Sequence, residues 1–213
     1  MQEARWREDH SLFAAVDLPD VLQARDRRAA RRSDLLSEAG SCLLTVTLLM
    51  PGSVKTTKLS RSFLREYCSY LRKQLGGKNL RIAHEEALID PAGDAYFFLF
   101  TSGTDPLFLK KFLISMEEEY DWTRVLDLDL YLSEAEPLSR ARLQQPERRC
   151  LICAEEAHAC SRSQRHSTEE LQELIGQFQT EGLFELLGRR MQAAALSAAI
   201  AELLVVPKPG LVT

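Results

Sequence analysis

The chain has 213 residues, 45% of them hydrophobic and 27% charged, which is typical of one globular domain with at most a short appendage. Its formal net charge of −4 argues against a general nucleic-acid binder. No apolar run approaches the ~20 residues that a membrane span needs. Residues 1–7 lack the charged-then-apolar order of a signal peptide. We therefore expect a cytoplasmic protein with reduced cysteines that binds neither nucleic acid nor membranes.

The first predicted element is an arginine-rich helix that begins at Asp20, an N-cap residue, and ends before Gly40. Apolar residues recur along it, and five arginines lie between them: Arg25, Arg27, Arg28, Arg31 and Arg32. Guanidinium groups clamp phosphate oxygens bidentately, so the helix would suit a triphosphate substrate or an acidic carrier protein. A solvated helix face is the simpler alternative.

Residues 42–132 alternate between strand and helix patterns. Strand patterns cover 42–50, 80–89, 95–101 and 124–132, and helical periodicity covers 57–75 and 105–120. The order β-α-β-β-α-β is typical of a ferredoxin-like core, in which two helices cover one face of a four-stranded sheet. We therefore predict an α+β fold with this core, an N-terminal helix, and C-terminal helices at 168–180 and 183–206.

Two acidic residues share one face of the last predicted strand. Asp127 and Asp129 alternate with leucines, so the leucines face the core and both carboxylates face solvent or a cleft. Adjacent carboxylates repel each other, and a divalent cation is the usual relief. Such a cation assists phosphoryl or nucleotidyl transfer by neutralising phosphate charge. Two exposed acids on a half-buried strand are the alternative.

The segment PGSVK, residues 51–55, joins the first strand to the next helix. Backbone amides and a helix N-terminus at such a turn can receive a phosphate. The segment has no P-loop glycine-lysine pattern, and the residues alone favour a simple strand-to-helix turn.

A cysteine cluster follows the core. Cys150, Cys153, His158 and Cys160 form a C-x2-C-x4-H-x-C pattern that predicts a tetrahedral zinc site. The alternative is a cluster of reduced thiols in a packed loop. His166 is a further candidate, as a general base or as a structural residue beside the helix cap at Ser167 and Glu170.

Several of these segments together resemble the apo-citrate lyase phosphoribosyl-dephospho-CoA transferase family, also called holo-citrate lyase synthase. The resemblance covers about residues 18–180. It is carried by VLQARDRRAA (21–30), PGSVK (51–55), RVLDLDL (124–130), LSR (138–140), PERRCLIC (146–153), CSR (160–162) and the His166 region.

The resemblance implies a nucleotidyltransferase-type enzyme. The family transfers the 2′-(5″-phosphoribosyl)-3′-dephospho-CoA group from its triphosphate precursor to a serine of the citrate lyase acyl carrier (gamma) subunit, and pyrophosphate leaves. By this resemblance Asp127 and Asp129 would hold Mg²⁺, supported by Arg124. The residues expected to bind substrate are Arg25, Arg28, Lys55 and Arg162.

The chain departs from the family pattern before the acidic strand. Thr123 stands where the family usually has glycine, and Tyr120 and Asp121 replace a histidine and a proline. A side chain in place of glycine could crowd a closely bound phosphate. The alternative function is therefore a non-catalytic, carrier-protein-binding or zinc-stabilised interaction module. An acid pair that shares a cleft with Arg25, Arg28 and Lys55 would favour the enzyme.

The tail has a second resemblance. Residues 198–212 are similar to the opening of triphosphoribosyl-dephospho-CoA synthase, an activity that can be fused to the transferase. We therefore expect a transferase domain over residues 1–180 and, over 181–213, a helical tail that resembles the start of a truncated synthase domain in a multifunctional fusion.

Overall fold

A computed structural model describes residues 14–37, 42–133, 136–189, 199–200 and 203. The helices are α1 (Leu18–Ser37), α2 (Lys58–Gly77), α3 (Pro106–Glu117), α4 (Ala157–Ser163) and α5 (Thr168–Gly188). The strands are β1 (Cys42–Leu48), β2 (Ile82–Leu88), β3 (Ala95–Phe100) and β4 (Leu126–Tyr131).

The four strands form one antiparallel sheet in the order β2-β3-β1-β4. Strands β2 and β3 form a hairpin, α2 connects β1 to β2, and α3 connects β3 to β4. This order is that of the split βαβ, ferredoxin-like sheet. The predicted α+β fold is confirmed.

The main core lies on the face of the sheet that α2, α3 and α5 cover. Leu126, Leu128 and Leu130 of β4 are fully buried there, as their alternation predicts. Thr57 begins α2 with a capping box, and Asp105 caps α3 through its side chain. These caps fix where each crossover helix starts and hence how it reaches the sheet.

The opposite face of the sheet is only partly covered. Leu35 of α1 packs there against Leu43, Phe97 and Leu99, in a second and smaller apolar cluster. Across the β1–β4 ladder, Thr45 lies opposite Asp129, and Thr47 opposite Asp127. The polar half of this face is therefore available for a binding site.

Helix α5 is longer than the sequence predicts. It runs unbroken from Thr168 to Gly188, whereas we expected one helix to end at 180 and another to begin at 183. Gly182 lies where α5 meets Phe63 of α2 and Trp122. A glycine inside a helix usually lowers helix propensity, but here it permits close packing of aromatic rings. Helix α5 thus crosses the expected domain boundary at 180, and residues 190–198, 201–202 and 204–213 lie outside the described part.

Two further elements differ from expectation. The sequence predicts that the last strand begins at Arg124, but a 3-10 turn, Asp121–Val125, precedes β4 instead. The Thr123 hydroxyl stabilises this turn. Helix α4 occupies a segment for which no helix was predicted. Among the described helices, none has the length and apolarity to cross a bilayer.

Candidate active site

A cleft of about 1440 Å³ opens on the polar half of the sheet, between α1 and the segment that follows β4. Both acids of β4, Asp127 and Asp129, line it. The basic side chains around them are Arg25, Arg28, Arg32, Lys55, Lys110, Arg124, Arg140, Arg148 and Arg149. The acid pair therefore shares a cleft with the predicted phosphate-binding residues, the arrangement that favours an enzyme.

The two acids differ in environment. Asp129 is the more enclosed, and burial together with the neighbouring Asp127 raises its pKa to about 6. Asp127 is about half exposed and accepts a hydrogen bond at Oδ1 from Arg148, at 3.0 Å. Two neighbouring carboxylates, one of them partly desolvated, form a site that a bound cation would stabilise.

Arg148 is the residue that contacts the acid pair directly. Its guanidinium also donates to the carbonyl oxygens of Leu126, at 2.6 Å, and Arg124, at 3.2 Å. Arg124, which we expected to support the pair, instead donates to the carbonyl oxygen of Cys150, at 2.6 Å. Sequence reasoning gave Arg148 no role, although it lies within the PERRCLIC segment that carries the family resemblance.

The arginines of α1 fall on two faces. Arg27 and Arg31 form ion pairs with Asp90 and Glu86 and so attach α1 to the sheet. The other three line the cleft at helical spacing: Arg25, Arg28 and Arg32. Burial lowers the pKa of Arg28, as expected for a cation partly withdrawn from water. The i, i+3, i+7 spacing of the cleft arginines could have identified this face from sequence.

Lys55 lies beside the same face. Its ammonium donates to the carbonyl oxygen of Met50 at 2.7 Å, and burial and the neighbouring Arg25 lower its pKa. Gly52 in the same turn has a φ of 79°, in the left-handed region, and a Cβ there would meet Gln172 of α5 at 2.4 Å. The turn is therefore held closely against α5, with Lys55 directed to the cleft.

Two buried polar atoms in this region have no hydrogen-bond partner among the described residues. They are Oγ1 of Thr45, opposite Asp129, and Nε of Arg32, whose guanidinium stacks 4.2 Å from the ring centroid of Tyr131. Buried polar groups are rarely left unsatisfied. Both atoms are suited to a polar ligand that binds in the cleft.

The outer edge of β4 is closed by charged side chains of neighbouring segments. Lys110 donates to the carbonyl oxygen of Leu128 at 2.9 Å, and Glu117 accepts a hydrogen bond from the amide of Leu128 at 3.0 Å. Glu117 in turn pairs with Arg140, whose side chain is largely buried. Burial lowers the pKa of Lys110. These contacts cover an otherwise open sheet edge and hold the acid pair in register.

The structure corrects the predicted set of zinc ligands. The side-chain ligand atoms of Cys150, Cys153, Cys160 and His166 lie within 4.8 Å of one another, and His158 is not among them. His158 and Cys160 are two residues apart on α4, so their side chains leave the helix about 200° apart and cannot converge. His166 lines the cleft, and its Nε2 lies 3.3 Å from Sγ of Cys153, so it joins the cysteines, while a role as general base stays a prediction.

Two other predicted features lie away from the cleft lining. Arg162 is exposed on α4 and does not line the cleft, so the geometry gives its expected substrate contact no support. Thr123 is fully buried, and its hydroxyl donates to the carbonyl oxygen of Tyr120 at 2.6 Å. The departure from glycine is accommodated inside the 3-10 turn and does not crowd the cleft.

Comparisons with known proteins show the family to which the chain is similar. A family model described as apo-citrate lyase phosphoribosyl-dephospho-CoA transferase matches residues 16–181. A probable transferase of that name from Streptococcus pyogenes is 36% identical over 167 residues, 76% of this chain and 84% of that protein. The Shigella boydii transferase is 29% identical over 158 residues, 74% of this chain and 85% of that protein. Protein CitXG of Haemophilus influenzae is 29% identical over 198 residues, 92% of this chain but 41% of that protein.

The family model and the relatives define the class of protein as a transferase, and the ferredoxin-like sheet with an acid pair opposite a basic helix is compatible with that class. More specifically, the chain belongs to the apo-citrate lyase phosphoribosyl-dephospho-CoA transferase family.

The acid pair fits the Mg²⁺ that the family resemblance implies. Carboxylate oxygens are the ligands that Mg²⁺ prefers, and a cation would offset both the burial of Asp129 and the charge of the neighbouring Asp127, which together raise the pKa of Asp129. The unpartnered hydroxyl of Thr45 lies across the ladder from Asp129 and adds an oxygen donor.

Proposed function

We propose that this chain transfers the 2′-(5″-phosphoribosyl)-3′-dephospho-CoA group from its triphosphate precursor to a serine of the citrate lyase acyl carrier subunit. The serine oxygen forms a phosphodiester bond to the phosphorus next to the ribose, and the bond from that phosphorus to the pyrophosphate breaks. The hydroxyl proton passes to solvent water. The observation that carries this proposal is the shared cleft, in which the acid pair faces Arg25, Arg28 and Lys55.

The basic groups would bind the triphosphate. Arg25, Arg28 and Arg32 present guanidinium groups along one side of the cleft, and Lys55 adds an ammonium close to Arg25. Burial and the neighbouring positive charge of Arg25 both lower the pKa of Lys55, so the empty site holds its cations at a cost in free energy. Polyanion binding relieves that repulsion, which favours a triphosphate over a neutral ligand.

The acid pair and Arg148 would act at the reacting phosphorus. A Mg²⁺ ion held by Asp127 and Asp129 would supply charge neutralisation on the phosphates and the leaving pyrophosphate. Arg148 orients the Asp127 carboxylate and, being partly exposed to the cleft, offers further donors to phosphate oxygens.

Intact-mass spectrometry of the acyl carrier subunit tests the proposal. Apo carrier protein is incubated with this chain, Mg²⁺ and triphosphoribosyl-dephospho-CoA, with an active family member as the positive control. We expect a mass increase equal to one phosphoribosyl-dephospho-CoA group. No increase, while the control modifies the carrier fully, would contradict the proposal and favour a binding-only domain.

A further inference from the structure

The cysteine cluster borders the cleft, which Cys150, Cys160 and His166 line, but the proposed transfer step uses none of its side chains. Sγ of Cys153 lies 3.4 Å from Sγ of Cys160 and 3.3 Å from Nε2 of His166. Ligand atoms around a tetrahedral zinc ion with Zn–S bonds of about 2.3 Å are separated by about 3.7 Å. These two distances are shorter than that separation by tenths of an ångström, and all four ligand atoms lie within 4.8 Å of one another, so small side-chain movements suffice to enclose an ion.

We propose that Cys150, Cys153, Cys160 and His166 bind a structural zinc ion. Three sulfur ligands and one imidazole are a donor set that zinc prefers, and four protein ligands close the coordination sphere as in structural sites. Cys150 and Cys160 are buried and Cys153 is half-buried, so the ion would be shielded from exchange with bulk ligands.

The backbone around Cys150 turns back on itself. Cys150 donates its amide to the carbonyl oxygen of Glu155 at 2.8 Å, and this bond closes the turn that contains Cys150 and Cys153.

The zinc ion would join three segments and hold the loop that reaches the acid pair. Cys150 and Cys153 lie in this loop, Cys160 is on α4, and His166 immediately precedes the cap of α5. Arg148, two residues before the cluster, contacts Asp127, and its own carbonyl oxygen accepts from the amide of Ala157 at 2.8 Å. The ion would therefore position Arg148 at the acid pair.

Metal content of the full chain, purified under reducing conditions, tests this proposal. Reconstitution with zinc, or with Co²⁺ as a spectroscopic probe, is followed by removal of loose metal and elemental analysis. We expect one zinc per chain and, for Co²⁺, the thiolate charge-transfer and intense d–d absorption bands of tetrahedral cysteine coordination. His166→Ala and Cys153→Ser are expected to lose both signals, whereas His158→Ala, the matched histidine control, keeps them.

A conservative variant covers the case in which these substitutions prevent folding. His166→Cys supplies a fourth sulfur and is expected to retain zinc. A wild-type chain that binds no zinc under these conditions would overturn the proposal, as would zinc retained equally by His166→Ala and Cys153→Ser. A Cys153–Cys160 disulfide in the metal-free wild type would also overturn the proposal. It would be detected as the loss of two free thiols in protein that has not been exposed to an oxidant.

Discussion

Arg148 and Asp127 form the contact at which the loop after β4 meets the sheet. The guanidinium donates to the carboxylate at 3.0 Å and to two carbonyl oxygens at the start of β4, so its position is fixed by three bonds. A charged hydrogen bond is worth about 1.5–3 kcal/mol, more than a neutral one. The orientation of Asp127 therefore depends on a residue 21 positions later in the chain.

Replacement of Arg148 tests this dependence. Arg148→Ala is expected to lower the rate of transfer by about 10- to 100-fold, the kinetic equivalent of one charge-assisted hydrogen bond. Arg142→Ala, an exposed arginine of the same loop that does not line the cleft, is the control and should leave the rate unchanged. Equal transfer rates for the two variants, measured below both melting temperatures, would show that Arg148 does not contribute to the active site.

Helix α1 uses its arginines for two purposes. Arg27 attaches the helix to Asp90, whose side chain is only 5% exposed, while Arg25 projects into the cleft. The helical period separates the two sets, so substitutions on the two faces should have different effects.

We expect Arg25→Ala to raise KM for the triphosphate precursor about tenfold, the loss of one charged hydrogen bond, with little change in Tm. Arg27→Ala should instead lower Tm, because it leaves the Asp90 carboxylate buried without its partner, and should leave KM unchanged. Steady-state kinetics and thermal unfolding of both variants check the division. A rise in KM for Arg27→Ala alone would contradict it.

Helix α5 contains two glycines with opposite surroundings. A Cβ at Gly182 would lie 2.5 Å from Phe63 and 2.6 Å from Trp122, whereas no atom lies within 4 Å of a Cβ at Gly176. The first position is closed by rigid aromatic rings, and the second is open.

Gly182→Ala is therefore expected to lower the free energy of unfolding by about 1–3 kcal/mol through overpacking. Gly176→Ala should raise it by about 0.5–1 kcal/mol, since alanine favours the helix. Denaturant unfolding of the two variants measures both values. Destabilisation by Gly176→Ala, or none by Gly182→Ala, would show that α5 does not dock on α2 in this register.

At the scale of the whole molecule, local patterns predicted the sheet and the face of the acid pair. The alternation of leucine with aspartate in β4 depends only on the two-residue period of a strand, and the structure confirms it. The shared cleft could not be predicted from residue patterns alone, because it depends on where α1 crosses the sheet. His166 was separated from the cysteine pattern by six residues, and only the turn between α4 and α5 brings it back to Cys153. The continuity of α5 through Gly182 likewise depends on tertiary contacts with Phe63 and Trp122.

The function that we propose for this chain depends most directly on the acid pair in the shared cleft. Pyrophosphate release by wild type and by Asp127→Asn, with precursor, Mg²⁺ and apo carrier protein, tests it most directly. We predict a loss of at least about 100-fold in the variant, the usual effect of removing a key electrostatic group, with a circular dichroism spectrum like that of wild type. Near-normal release by Asp127→Asn would contradict the assignment of the cleft as the active site.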